Sequence, residues 1–123
     1  MHKELGNKSR SLNDLGIMAG VYLQIGNTEL AMDHINQAMA IAKEMKDDMS
    51  INECHYWRGY IYLYQKDYAQ AMDGNMSKWH EWNTKNKKDI SLGKLSRYLV
   101  CLKKLGRDVN FSQLEKLMKE RPA

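Results

Sequence analysis

Proline, cysteine and strand-like patterning are scarce in this chain, and each shortage excludes something. The single proline among 123 residues is Pro122, so no upstream helix is interrupted by a missing amide. Val, Ile and Thr are few and do not alternate with polar residues, which removes the signature of a half-buried strand. The chain therefore reads as all-α. No apolar run approaches the ~20 residues that cross a bilayer, so no membrane partner is expected. The opening MHKELGNKSR lacks the apolar centre of a secretory signal. The two cysteines, Cys54 and Cys101, stand alone inside helical segments without CxxC spacing. They read as reduced, part-buried thiols, and the expected location is the cytoplasm.

Chemical motifs are missing as well. HExxH, GxSxG and a phosphate-cradling glycine loop do not occur. His2, His34, His55 and His80 share no ligand spacing on one helix, and Cys54 and His55 point ~100° apart around theirs. The sequence nominates no catalytic residue, no metal site and no cofactor, and the expectation is a protein that is not an enzyme.

Charge is unevenly spread. From Thr84 to the end there are eleven basic residues against four acidic ones, whereas the whole chain carries only +4. The front is therefore acidic on balance and the tail basic. Such a field can steer an acidic ligand, or it can be an ordinary solvated face.

What the sequence does have is a long repeat. Tyr22, Gly26-Asn27 and Ala31 return forty residues later as Tyr62, Lys66-Asp67 and Ala71, and again as Leu102, Gly106-Arg107 and Phe111. A helix–turn–helix recurring at such a period marks stacked helical hairpins. Lys3-Glu4-Leu5 matches Lys43-Glu44-Met45 at the same offset, so residues 1–8 read as the remnant or cap of a preceding repeat. The full units are expected at 11–46, 50–85 and 89–120.

The helices follow from apolar spacing. Leu15, Met18, Ala19 and Tyr22 give one face of a helix from about Ser11 to Ile25. Asn27 suits the N-cap of a helix over Thr28–Met45, with Ala31, Ile35, Ala38 and Ile41 buried. Ser50-x-x-Glu53 reads as a capping box opening a third helix, Ile51–Gln65, that is apolar nearly all round and so belongs in the middle. Asp67 caps a fourth helix to about Asn83, with Ala71, Met72, Met76, Trp79 and Trp82 as its stripe. Asp89 caps a fifth, carrying Leu95, Tyr98, Leu99 and Leu102. A short amphipathic helix near Ser112 closes the chain.

These residues resemble the tetratricopeptide repeat family, in which a Leu-Gly and Tyr on one helix precede a Gly turn and Ala-x3-Phe on the next. Leu15, Met18-Ala19, Tyr22, Gly26, Ala31, Ile35 and Ala38 carry the pattern in the first unit. Gly59, Tyr62, Asp67-Tyr68 and Ala71 carry it in the second, and Leu95, Tyr98-Leu99, Leu102 and Gly106 in the third. The match covers most of the chain and weakens towards its end. Departures are His55 and Arg58 at apolar positions, Asn75 and Lys78 where Ile35 and Ala38 stood, and a stride of forty residues in place of the common 34.

The resemblance implies an α-solenoid of about three hairpins, with an inner face lined by the first helix of each. On this chain that face holds Asn13, Gly16, Gly20, Leu23 and Gln24, then Glu53, Tyr56, Tyr60, Leu63 and Tyr64, then Ser96, Val100, Lys103 and Lys104, and Arg97 fits a basic binding position in the last unit. The implied function is a protein–protein interaction module that binds a peptide or helix in the groove, an acidic group meeting Lys103 and Lys104. The competing reading of Tyr56, Tyr60 and Tyr64 is packed core. The family's carboxylate-clamp ligands are not expected, because Gly16 and Gly20 replace the clamp's Lys and Asn. Nucleic-acid binding by the basic last third is the weaker functional alternative. Self-association through an open N-terminal helix face is compatible with either.

Overall fold

Three turns at the same offset organise the chain. The computed structural model describes residues 2–120, with side chains from Asn7 onward. Gly26, Lys66 and Gly106 all lie in the left-handed region, at φ 84°, 63° and 72°. The next residue donates its amide five positions back each time: Asn27 to Tyr22 at 2.8 Å, Asp67 to Tyr62 at 2.9 Å, and Arg107 to Leu102 at 3.0 Å. This is the bonding of a helix end closed by a left-handed residue, which satisfies carbonyls otherwise orphaned. Three matching turns give the forty-residue stride a backbone basis.

Among the described residues there are seven helices: α1 (His2–Gln24), α2 (Thr28–Met45), α3 (Asp48–Tyr64), α4 (Tyr68–Ala71), α5 (Ser77–Lys85), α6 (Leu92–Lys104) and α7 (Ser112–Glu120), with a wide-turn segment Met72–Met76 joining α4 to α5; left-handed Lys46 and Lys87 close α2 and α5 in the same way. No strand occurs among the described residues. Asn27 and Asp67 cap as expected: their side chains accept from Leu30 N at 3.1 Å and Gln70 N at 3.2 Å.

Four boundaries differ from the sequence reading. Helix α1 starts at His2 and runs unbroken through Ser11; the side chains of the Lys3-Glu4-Leu5 match lie outside the described residues. Helix α3 is capped by Asp47, not Ser50. Asp47 Oδ1 accepts from Ser50 N at 3.2 Å and its Oδ2 from Ser50 Oγ at 2.8 Å. No capping box forms, because the Glu53 carboxylate reaches across to Lys94. Helix α6 is capped by Ser91, not Asp89: Ser91 Oγ accepts from Lys94 N at 3.3 Å. The fourth helix is broken, since Asp73 (ψ 120°) and Gly74 (φ 75°) leave helical space. Asn75, standing where Ile35 stood, donates to Gln70 O at 2.8 Å and so bonds a carbonyl beside the break.

The core has two clusters that meet at α3. Ala19, Leu23, Ala31, Ile35, Ala38 and Met39 from α1 and α2 join Cys54 and Ile61 in one. Tyr56 joins Ala71, Met72, Met76, Trp79, Leu95, Leu99 and Cys101 in the other. Trp57 and Tyr60 pack against both. The centrality expected of α3 from its nearly all-apolar circumference is thus met, with α2 on one side and the broken helix on the other. Gly59 permits the second contact: a Cβ there would sit 2.6 Å from Met76 Cγ and 2.9 Å from Ala71 O.

Candidate binding groove

Two helices separated by a third leave a trough between them. Asn13, Gly16 and Ile17 of α1 form one wall, and Ser50, Glu53, Cys54 and Trp57 of α3 the other, over a floor of Ile35 and Ala38 from α2. The volume is about 560 Å³, within the range of ordinary ligand clefts. Gly16 keeps the α1 wall low, because a Cβ there would meet nothing within 4 Å. Met49, largely exposed, stands at the α3 end beside Asp47. The lining is apolar in the middle, with carboxylates at the rim.

Beyond Trp57 the α3 wall continues into aromatic rings held by two cations from α6. Lys94 Nζ bonds Glu53 Oε2 at 2.6 Å and lies 5.0 Å from the Tyr56 ring centroid and 5.9 Å from that of Trp57. Arg97 Nη1 donates to Tyr56 Oη at 2.9 Å, and its guanidinium carbon lies 4.5 Å above the Tyr60 ring. Arg97 has no carboxylate partner among the described residues. Each cation contact of this kind contributes about 0.5–1 kcal/mol where solvent still reaches it. A smaller recess of about 170 Å³ lies on the far side of Glu53, lined in part by Trp79, Asn83, Ile90 and Lys94.

The nine residues singled out from sequence are thus unevenly placed. Asn13 and Glu53 line the groove. Tyr60 and Arg97 form the cluster next to it, and Glu53 joins both. Tyr56 is 0% exposed and belongs to the core, so a ligand meets it only through Arg97. Tyr64 is exposed near the end of α3, Gln24 near the end of α1, and Lys103 and Lys104 at the last turn of α6. None of these four is among the residues that line the groove. The tyrosines at four-residue steps run from buried to exposed, from Tyr56 at 0% through half-buried Tyr60 to Tyr64 at 53%. Lys94, Cys54, Trp57 and Ile17 were missed as site residues. A cation one turn before Arg97 on the same helix was the available sign of Lys94.

Burial governs titration here. It pushes the Cys54 thiol up to about 11, with Arg58 acting against the shift and Glu53 with it. It raises the Tyr56 phenol too, opposed by the hydrogen bond from Arg97. His55, on the neighbouring face of α3, is lowered first by burial and then by Lys78, Arg58 and Lys43. Both thiols are buried and unbonded to each other. A thiol held protonated is a poor nucleophile and a poor metal ligand, so Cys54 acts in the groove as an apolar surface.

Comparison with protein-family models, curated proteins and solved structures finds no match to this chain. The likeness to tetratricopeptide repeats therefore rests on the residues and turns described above. What the structure defines is an all-helical protein with a mostly apolar groove between α1 and α3 and an aromatic–cationic cluster beside it.

Proposed function

We propose that this chain is a short α-solenoid of the tetratricopeptide kind and works as a non-catalytic protein-interaction module. Its ligand is an amphipathic peptide that lays apolar side chains into the groove between α1 and α3. An acidic residue of the same peptide reaches Arg97 beside the Tyr60 ring. The observation that carries the reading is the groove, with Gly16 low on one wall and Trp57 on the other. Apolar anchors that exclude water supply most of the energy in such interfaces, and a single cation fixes direction more than affinity.

The test is a peptide-display selection on the whole chain, followed by titration against variants. Gly16→Leu fills the trough from a position where a side chain meets nothing, so it blocks binding without harming the fold. A selected peptide is expected to lose at least tenfold in affinity for Gly16→Leu and several-fold for Arg97→Ala. Selected peptides that bind Gly16→Leu and wild type alike rule the groove out as the site.

A further inference from the structure

The forty-residue stride shows what belongs on the outer face of α1. Val21, Ile61 and Cys101 occupy one equivalent position on α1, α3 and α6. Ile61 is 1% exposed and Cys101 0%, while Val21 is 49% exposed. The difference comes from the helix that precedes each. Ile61 shares its apolar cluster with Ile35 and Met39 of α2. On the same face of α3, Arg58 donates to Asn36 Oδ1 at 2.7 and 2.9 Å and Gln65 to Thr28 Oγ1 at 2.8 Å. Cys101 Sγ contacts Tyr68 O of α4 at 3.4 Å, and Tyr98 stacks on His80 of α5 at 4.3 Å between centroids. The α1 counterparts of this face are Met18, Val21 and Ile25, all substantially exposed. An apolar stripe at i, i+3 and i+7 is the pattern of a helix that receives another helix.

We infer that this face of α1 is a docking site for an amphipathic α-helix of the kind α2 presents to α3, lying across Met18, Val21 and Ile25. The occupant's chemistry is given twice within the chain, by α2 on α3 and by the α4–α5 helix on α6. The opposite end of the molecule fits the seat poorly. Where α2 has Met32, Ile35, Asn36 and Met39, α7 has Ser112, Glu115, Lys116 and Lys119, all polar and exposed, with Met118 the exposed apolar residue among them. Head-to-tail stacking of copies would set these charges against the α1 stripe, and burying unpaired charge opposes it.

The probe is a labelled synthetic peptide with the sequence of residues 27–46, titrated with the full chain and read by fluorescence anisotropy. An isolated helix of that length is marginal in water, so the titration extends to millimolar protein. Saturable binding is expected, weakened at least tenfold by Val21→Arg and unchanged by Met118→Arg on α7, two exposed sites whose variants are checked for native circular dichroism. Absence of binding at millimolar protein overturns the inference, as does binding indifferent to Val21→Arg. Sedimentation showing a dimer that Val21→Arg dissociates, with the peptide inert, assigns the face to a second copy and overturns it as well.

Discussion

Replacing glycine by alanine should act with opposite sign at Gly59 and Gly16, although both sit inside helices. Alanine gains about 0.8–1 kcal/mol over glycine from helix propensity alone. At Gly16 nothing opposes that gain, since the added Cβ meets no atom within 4 Å. At Gly59 the same Cβ would lie 2.6 Å from Met76 Cγ and 2.9 Å from Ala71 O. The methionine can turn away, but the carbonyl belongs to the backbone of α4 beside the break. Overpacking of this sort costs about 1–3 kcal/mol, and a backbone obstacle puts Gly59 near the upper end. The net expectation is about 1 kcal/mol of stabilisation for Gly16→Ala and about 1–2 kcal/mol of destabilisation for Gly59→Ala. At roughly 4 °C per kcal/mol for a domain of this size, the two melting points part by roughly 8–12 °C. Urea denaturation of both variants, followed by circular dichroism, measures the difference. A stabilised Gly59→Ala would refute the close approach of α3 to the broken helix.

The half-buried His55 gives a pH signature. Because the folded state lowers the His55 pKa, the unfolded state binds more protons as pH falls through its ordinary value of 6.5. Stability present at neutral pH is therefore lost progressively below that value. His55→Leu, which restores the residue type of Leu15 one repeat earlier, should flatten the loss between pH 7 and 5 in urea midpoints; an unchanged slope would contradict it. Arg97→Ala leaves the buried Tyr56 hydroxyl without the donor at 2.9 Å and uncovers the Tyr60 ring, for a cost of about 2 kcal/mol. In a Tyr56→Phe background that cost should fall by about half, and a cost that stays the same would show that the hydrogen bond contributes nothing. Cys54 and Cys101, buried and with raised pKa values, should react with a disulfide reagent at pH 8 far more slowly in the native protein than in urea. Native rates equal to those of a free thiol would contradict their placement.

Local signals were legible in the sequence, and pairings across the fold were not. The caps at Asn27 and Asp67 and the turns at Gly26 and Gly106 follow from residue chemistry within a few positions. Ala31 and Ala71, read as members of the apolar stripes, are each 0% exposed. The Asp73-Gly74 step carried a turn signal too, but the apolar stripe running through Met72, Met76 and Trp79 argued for an unbroken helix. The stripe survives because the break preserves the facing of those residues, all buried on the same side. Asp47 was passed over because Ser50 and Glu53 fit a known box, whereas Glu53 finds a stronger partner in Lys94, forty-one positions away. Of the groove, Asn13, Gly16 and Glu53 were anticipated. The fate of Tyr56 could not be read, because a helix apolar on every side does not say which ring faces α5 and α6. Only the Lys94–Glu53 ion pair, the Arg97 bond to Tyr56 and the guanidinium over Tyr60 decide that.

The claim on which the rest turns is that ligand seats between α1 and α3. Hydrogen–deuterium exchange of the chain with and without a selected peptide tests it most directly. Slowed exchange confined to 9–17 and 47–57, with a smaller effect near 94–97, is the predicted result. Protection centred on 103–120, with the α1 and α3 segments unchanged, would contradict it.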